Sequence, residues 1–333
     1  MRKILCAVAL GGLVLAGCGG GRSRVTTIDG FAQGSTYHIV IKSDRPMDDA
    51  RAGIDSVIAT FDRSASLYYK GSLLERLNAN ETDSVDAYIA ECIEVAGRLS
   101  RESDGLYDIT VKPLVAAWGF AGEERTERPD VDSLLQYVGY EKIRLENGRL
   151  VKSDPNVQID LNSIAQGYTA DILGRYIESL GVTDYLVEIG GEIFCRGTNP
   201  DGREWVVGID KPVEGNFTPG ADLQVKLGIS DEGLATSGNY RKFYTDGQGR
   251  KIVHTIDPRT GMSAESSLLA ATVVAPTAIL ADAYGTMFMV MGLERSREFL
   301  AGRPDVQAYL VYADSAGNFR TYVTPALARK IVK

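Results

Sequence analysis

The 333-residue sequence predicts an α+β protein in which largely antiparallel sheets pack against several long helices. Two observations support this prediction: short strand patterns outnumber helical ones, and tight-turn residues join several of the strands. The strict alternation of strands and helices that would indicate a doubly wound parallel sheet is missing. No linker or repeat divides the chain, and about 310 residues after the N-terminal segment are enough for one large core.

Three segments carry the apolar spacing of amphipathic helices, at residues 54–61, 85–99 and 164–180. Gly181 is the expected stop of the third. A fourth segment, residues 276–292, begins with proline, ends with glycine and is apolar on nearly every face. It predicts a buried helix, because proline is favoured at the first helical position and glycine just past the last.

The strand candidates alternate apolar and polar residues, or form short apolar runs, between turn signals. They are residues 36–41, 142–145, 185–189, 205–209, 223–229, 268–275, 308–312 and 319–323. Asn-Pro-Asp-Gly at 199–202 and Asp-Gly-Gln-Gly at 246–249 supply residues that adopt positive φ easily. They predict hairpin links between strands.

The N-terminus carries the pattern of an export signal. Arg2 and Lys3 form a positive start, residues 4–15 an apolar run, and Leu-Ala-Gly-Cys ends at Cys18. The run of about a dozen residues is well short of the roughly 20 that a spanning helix needs. Because the last four residues resemble a lipoprotein-processing box, we expect cleavage before Cys18, which would then become the acylated N-terminus. An uncleaved anchor in which Cys18 has no role is the alternative.

These signals divide the chain into a signal peptide (1–17), a lipid-anchored tether (18–24) and one domain (25–333). The protein would be an exported lipoprotein, anchored by its N-terminal lipid to the periplasmic or outer face of the membrane. Loss of the signal peptide would make the formal charge of −8 two units more negative. We therefore expect no nucleic-acid partner, since no Lys/Arg cluster offsets this balance.

Two cysteines, Cys92 and Cys195, would remain in the domain, too few for a disulfide framework. Cys92 falls on the apolar face of a helical pattern. We therefore favour two buried thiols. A disulfide between them, formed in an oxidising compartment, is the alternative.

Glycine and small polar residues concentrate in five segments bounded by clear helix or strand patterns, which suggests backbone that approaches a ligand. The segments are 32–36, 105–110, 160–167, 188–192 and 235–240. Each is weak by itself, because an isolated glycine most often marks a turn or bulge.

Asp282 and Thr286 are the strongest candidates for a binding site. They are four residues apart within the predicted buried helix and so share one face. An ionised carboxylate in an apolar helix is costly unless a positive group meets it. Carboxylate and hydroxyl oxygens, completed by backbone carbonyls and water, suit Mg²⁺, with Ca²⁺ also possible, better than Zn²⁺. The alternative is that Asp282 pairs with an arginine or caps a loop.

His254 is the candidate proton acceptor. It lies at a strand end that runs into a Pro/Gly turn, where a side chain can face a cleft. The only other histidine, His38, sits inside a strand pattern, which favours a packing role. The sequence contains no His/Cys cluster for zinc, no nucleophile elbow and no phosphate-binding loop.

Taken in order, these segments resemble the ApbE family of FAD:protein FMN transferases over essentially the whole mature chain. The matching segments are Gln-Gly-Ser-Thr at 33–36, Ser-Leu-Tyr at 66–68, Ser-Leu-Leu at 72–74, Leu-Asn at 77–78, Tyr-Asp-Ile-Thr at 107–110, Pro-Leu at 113–114, Trp-Gly-Phe at 118–120, residues 160–168, Gly-Gly-Glu at 190–192, Thr-Ser-Gly at 236–238, residues 254–261 and Ala-Asp-Ala-Tyr-Gly-Thr at 281–286.

The resemblance implies an ApbE-like fold and a set of site residues. FAD would lie in a cleft lined by Gln33, Tyr68, Asp108, Asp160, Gln166 and the backbone near Ile256. A metal ion would be held by Asp282, Thr286 and a main-chain oxygen from the stretch between Ser163 and Ala165.

The implied reaction is a Mg²⁺-dependent transfer of FMN from FAD, through a phosphoester bond, to a Ser or Thr of an acceptor redox protein. AMP is released, and His254 is the candidate base. A metal-dependent pyrophosphatase that splits FAD to FMN and AMP, and an FAD-binding lipoprotein without turnover, are the alternatives.

The sequence departs from the family pattern at three positions. Gln33 replaces Met, Leu73 replaces Glu and Gln166 replaces Lys. A lysine near the pyrophosphate would add a point charge, whereas glutamine can only form hydrogen bonds. We therefore expect charge stabilisation to depend more heavily on the metal.

Overall fold

The computed structural model describes residues 23–120, 129–213, 220, 222–239, 243–264 and 266–332. The predicted signal peptide, Cys18 and most of the tether lie outside the described residues. The helices are α1 (Ala50–Ala65), α2 (Leu73–Asn78), α3 (Ala87–Glu102), α4 (Lys112–Ala117), α5 (Val131–Leu135), α6 (Ala165–Ser179), α7 (Ala278–Ala301) and α8 (Pro325–Ala328). The strands are β1 (Arg24–Ala32), β2 (Ser35–Ser43), β3 (Ile143–Glu146), β4 (Arg149–Lys152), β5 (Asp184–Ile189), β6 (Glu192–Arg196), β7 (Trp205–Asp210), β8 (Leu223–Ile229), β9 (Glu232–Gly238), β10 (Phe243–Thr245), β11 (Lys251–Val253), β12 (Leu268–Ala275), β13 (Gln307–Ala313) and β14 (Phe319–Val323).

An 8-stranded sheet organises the molecule, in the order β1-β2-β5-β6-β9-β12-β13-β14. Each neighbouring pair in it is antiparallel. The pairs β3–β4, β7–β8 and β10–β11 form separate antiparallel hairpins. In the turn between β3 and β4, Asn147 and Gly148 both have positive φ (51° and 74°), as a tight two-residue reversal requires. The predicted α+β class is confirmed.

The large sheet is covered on both faces. Helices α6 and α7 pack on one face, and the β7–β8 hairpin packs on the other. Residues of β12 alternate: Ala271 and Val273 belong to the core beneath α7, whereas Ala270 and Val274 pack with the β7–β8 hairpin. Helix α6 lies over β5 and β6, and α7 lies over β9 and β12. The two helices also pack on each other, so their amino-terminal ends meet above the sheet.

Helix α7 corrects the prediction at its carboxyl end. We expected Gly292 to stop the buried helix, but the helix runs on to Ala301 and Gly292 forms a break within it, with φ 73° and ψ 178°. The Ser296 hydroxyl donates a 2.6 Å hydrogen bond to the Gly292 carbonyl. The helix resumes after this glycine because the following turns are packed, with Leu300 buried. Among the described residues, no helix has the length and apolar character needed to cross a membrane.

Residues 246–249 join β10 and β11 as a hairpin, whereas residues 199–202 connect β6 of the large sheet to β7 of a separate hairpin. The packing role expected for His38 is wrong, because its ring is exposed and bonds Asp29 across the strand pair at 2.6 Å. Cys92 and Cys195 are both buried and free, as favoured from the sequence.

Candidate active site

The first turns of α6 and α7 meet at a close approach of two backbones. A Cβ at Gly167 of α6 would lie 2.4 Å from the carbonyl oxygen of Ala278 and 2.7 Å from the Cβ of Asp282. Only glycine fits there without displacing α7. The backbone N–H of Gly167 donates a 3.0 Å hydrogen bond to Oδ2 of Asp282. The predicted metal-binding carboxylate therefore lies at the amino-terminal end of α6.

Asp282 is buried, and burial raises its pKa to about 7 against the effect of the Gly167 hydrogen bond. Within the part of the chain that the structure describes, no Lys, Arg or His forms an ion pair with it. An arginine partner is thus not what accounts for this carboxylate. The capping alternative holds in part, because Asp282 accepts a hydrogen bond from the first turn of α6.

Thr286 lies one turn after Asp282 on the same side of α7, and its hydroxyl is 3.4 Å from the hydroxyl of Ser237 on β9. No group of three or more His, Cys, Asp or Glu side chains suited to a metal occurs among the described residues. A cation here would be bound by one carboxylate, by hydroxyls and by backbone carbonyls. That donor set fits a hard ion such as Mg²⁺.

The turn before α6 can supply the carbonyls. Because the N–H of Gly167 is directed to Asp282, it does not bond the carbonyl of Ser163 four residues earlier. The Ser163 oxygen therefore stays outside the hydrogen-bond ladder of α6. The carbonyl of Ala165 accepts a 2.8 Å hydrogen bond from the Thr169 hydroxyl, so it is oriented by a side chain as well as by the helix.

Asp171, in the middle of α6, is a buried carboxylate that the sequence analysis missed. Its two oxygens accept the backbone N–H groups of Ala278 and Ile279, each at 2.8 Å. The N-cap residue Thr277 makes no capping bond of its own, so Asp171 satisfies two of the donors that a helix start leaves unpaired. Burial raises its pKa to about 7, and the two hydrogen bonds act in the opposite direction.

Gln33 and Gln166 lie together at the turn between β1 and β2. The Nε2 of Gln33 donates to Asp62 at 3.1 Å and to Thr169 at 2.8 Å. Its Oε1 is buried and has no partner among the described residues, which leaves an acceptor that a bound ligand could satisfy. The Nε2 of Gln166 lies 3.5 Å from the carbonyl of Gln33 and faces Gly190, where a Cβ would be 2.4 Å away.

The segments that contain Asp108 and Asp160 lie side by side, since the N–H of Asp160 donates to the carbonyl of Ile109 at 2.7 Å. Asp108 accepts hydrogen bonds from the N–H and the hydroxyl of Thr110, at 2.8 and 2.7 Å. Burial nevertheless raises its pKa to about 6. Two acidic side chains, both buried, are therefore presented by adjacent loops.

Tyr68 reaches the same loops from the segment after α1. Its ring is exposed, and its hydroxyl accepts a 3.3 Å hydrogen bond from Asn162. The N–H of Asn162 in turn donates to Oδ1 of Asp160 at 2.7 Å. Tyr68 and Asp160 are thus linked through one asparagine.

His254 follows β11 directly and is half-buried, with its ring edge-on to Phe120 at 6.2 Å between centroids. The next residue, Thr255, donates a 2.8 Å hydrogen bond to Asn239 at the end of β9. Ile256 is buried and forms an isolated bridge with Ser263. His254 is therefore connected to the strand that carries Ser237 through its neighbours.

A surface cavity of about 300 Å³ connects this segment with Asp108. Pro258 and Arg259, shortly after His254, line it together with Gly105 and Asp108. The hydroxyl of Ser163 lies 3.0 Å from that of Tyr107, which joins the Asp108 loop to the start of α6.

These contacts bring the predicted residues into two adjoining groups. Around the α6–α7 junction lie Gln33, Ser163, Ala165, Gln166, Asp282 and Thr286, and beside it lie Tyr68, Asp108, Asp160, His254 and Ile256.

The model of the ApbE family matches residues 33–310 of this chain. The chain belongs to the ApbE family.

Three relatives match this chain over nearly their full length. An FAD:protein FMN transferase of Haemophilus influenzae is 32% identical, and the match covers 95% of each chain. The solved flavin transferase ApbE of Vibrio cholerae superposes with a TM-score of 0.82 at 28% identity, over 92% of this chain and 99% of that one. The apo flavinyl transferase ApbE of Pseudomonas stutzeri gives 0.81 at 30% identity, over 92% and 97%.

The structure also locates the three departures from the ApbE pattern. Gln33 and Gln166 meet each other at the β1–β2 turn, so the two replacements share one region. Leu73, in place of Glu, is the first residue of α2 and packs against the main core. Asp171 could have been found by the reasoning that singled out Asp282, because it too is an acidic residue within an apolar helical pattern.

Proposed function

We propose that this protein is a Mg²⁺-dependent FAD:protein FMN transferase that attaches FMN to a Ser or Thr of an acceptor redox protein and releases AMP. The observation that carries the proposal is the junction of α6 and α7, where the buried carboxylate of Asp282 forms no ion pair among the described residues and lies at the first turn of α6, one helical turn before the hydroxyl of Thr286. The activity itself is supported by membership of the ApbE family and by relatives that are named FAD:protein FMN transferase.

The cation is assigned to Asp282, Thr286 and a carbonyl of the Ser163 to Ala165 stretch. When bound, Mg²⁺ would neutralise charge on the pyrophosphate of FAD and so lower the barrier to phosphoryl transfer. The protein prepares this position by holding Asp282 through Gly167 and by keeping the carboxylate away from solvent. Burying the unpaired charge of Asp282 is costly, and a bound cation would offset that cost.

FAD is assigned to the cleft lined by Gln33, Tyr68, Asp108, Asp160, Gln166 and the backbone near Ile256. Support comes from the orphaned Oε1 of Gln33 and from the cavity beside Asp108. In the transfer, the acceptor hydroxyl oxygen bonds to the FMN phosphorus, the bond from that phosphorus to the AMP oxygen breaks, and AMP leaves. His254 takes the hydroxyl proton.

The proposed location of the enzyme rests on Cys18. A lipid on Cys18 would hold the domain at the periplasmic or outer face of a membrane, where exported or membrane-embedded redox subunits expose their acceptor residue. The support is the lipobox-like sequence alone, since Cys18 lies outside the described residues.

The decisive experiment incubates the purified protein with FAD and Mg²⁺, with and without an acceptor protein, and measures AMP. Release that requires the acceptor, together with an FMN-sized mass increase on it, supports the transferase. AMP without acceptor would identify a pyrophosphatase, and an absence of AMP would identify an FAD-binding protein. A parallel sample with EDTA tests the metal.

A further inference from the structure

Helix α6 presents two residues, one turn apart, to the beginning of α7. Gly167 donates its N–H to Asp282, and Asp171 accepts the N–H groups of Ala278 and Ile279. These three bonds span the first two turns of α7. The same face of α6 therefore fixes both the start of α7 and the carboxylate one turn further on.

The start of α7 is also confined from the sheet. A Cβ at Gly233 of β9 would lie 2.2 Å from the backbone nitrogen of Ala278, so strand and helix backbones are in direct contact there. Ala278 is fully buried between α6 and β9. A shift of α7 along its axis would break this contact and the hydrogen bonds to Asp171 together.

We propose that Asp171 is a positioning residue for the metal ligand Asp282, acting through the backbone of the first turn of α7. Because an α-helix is stiff over one turn, anchoring the amides of Ala278 and Ile279 sets the place of a side chain four residues later. The inference rests on the proposed metal-binding role of Asp282. It adds that the geometry of that site depends on a residue that makes no contact with the metal.

The chemistry of Asp171 distinguishes it from an ordinary helix cap. An ordinary cap such as Asp86 of α3 lies next to its helix in sequence and bonds one amide, that of Ile89 at 3.0 Å. Asp171 belongs to another helix, is buried, and uses both oxygens on two amides. Asparagine at position 171 would keep one acceptor and turn an NH₂ group toward the second amide, so α7 would have to move or lose a bond.

The test is a calorimetric titration of the purified full-length protein with Mg²⁺, for wild type, Asp171→Asn and the matched cap variant Asp86→Asn. We expect Asp171→Asn to weaken Mg²⁺ affinity by about 10- to 100-fold, the usual effect of residues that orient a ligand. FMN transfer should recover at excess Mg²⁺. Asp86→Asn should leave the Mg²⁺ affinity unchanged, because asparagine is an equally good N-cap and this helix carries no metal ligand.

An Asp171→Asn protein with wild-type Mg²⁺ affinity overturns the inference, as does a wild type that binds no Mg²⁺. If wild type binds Mg²⁺ but transfers no FMN, the proposed activity fails while the Asp171→Asn titration still decides the positioning role. Should Asp171→Asn not fold, Asp171→Glu takes its place, because it keeps the charge and both oxygens but moves them by one methylene. Weakened affinity then supports the inference, and unchanged affinity overturns it.

Discussion

The backbone N–H of Gly167 lies 3.0 Å from Oδ2 of Asp282, so the first turn of one helix bonds the side chain of another. The same glycine has no room for a side chain, because a Cβ would fall 2.7 Å from the Cβ of Asp282. The site is thus built from two helix ends that could not approach with any larger residue at that position.

Asp282→Asn keeps the shape of the side chain and removes its charge. We expect it to abolish AMP release at ordinary Mg²⁺ concentrations, because the remaining oxygens are neutral. Thr286→Val should be milder, with a half-saturating Mg²⁺ concentration raised about tenfold and part of the rate restored by excess Mg²⁺. The measurement is FMN transfer against Mg²⁺ concentration, with EDTA as the metal-free control. Full activity in EDTA, or an unchanged curve for Asp282→Asn, would mean that the carboxylate is structural.

His254→Asn should lower the rate of FMN transfer by roughly 10²-fold or more and leave FAD affinity near the wild-type value, because a base acts in the chemical step. His38→Asn is the matched control, since His38 is the other histidine of the chain and is exposed on β2. Transfer kinetics and FAD titration of both variants check this. Equal rates for wild type and His254→Asn would assign the proton to another group.

Asp108 should make stability depend on pH in a defined direction. Its folded pKa of about 6 lies above the value of 3.8 of an unperturbed Asp, so the folded state binds its proton more tightly. The stabilisation is present below about pH 4 and is lost as the pH rises through 6, by about 3 kcal/mol. Denaturant unfolding from pH 4 to 7 should show this fall in wild type, and Asp108→Asn should lack that part of it. Parallel curves for the two proteins would contradict the assignment.

Gln166→Lys restores the charge that the family pattern carries. A charged donor contributes more than a neutral one by about 1.4 kcal/mol, which corresponds to a roughly tenfold faster transfer when Mg²⁺ is limiting. Gln166→Leu, which removes the hydrogen bond without adding charge, should be slower than wild type. Rates at low and saturating Mg²⁺ distinguish the three proteins. A lysine variant no faster than wild type at any Mg²⁺ concentration would place residue 166 away from the pyrophosphate.

Cys18→Ala tests the anchor. We expect the variant to appear in the soluble fraction or to keep its precursor mass, because the cysteine that would become the acylated N-terminus is gone. The transfer activity of the folded domain should persist, since the tether supplies none of the site residues. Fractionation and intact mass against wild type provide the measurement, and identical results for both proteins would show that Cys18 carries no lipid.

Periodicity was enough to predict two of the elements that form the frame of the candidate site. Helix α6 was predicted over residues 164–180 and runs from Ala165 to Ser179, and the strand predicted at 268–275 coincides with β12. Strand β9 was missed because Gly233, Ala235 and Gly238 have low strand propensity. Its small residues are required by tertiary packing, since the backbone of α7 occupies the space of a side chain at Gly233.

A candidate site residue could be named from the sequence where it contradicted its local pattern, as Asp282 does in an apolar helix. The site was not predictable where the partner is distant in sequence. The bonds from Gln33 to Thr169 and from Asp171 to Ala278 join residues more than 100 positions apart, and no periodicity encodes them. Such contacts exist only once the helices have packed.

Burial determines how reactive the two thiols of the domain, Cys92 and Cys195, can be. Burial raises the pKa of Cys195 to about 12 and that of Cys92 further still, so almost no thiolate forms at neutral pH. The thiolate is the nucleophile that attacks disulfides and reacts with oxidants. In an oxidising compartment, the folded domain should therefore keep both sulfurs reduced. Its recovery from denaturant should not depend on a thiol–disulfide catalyst.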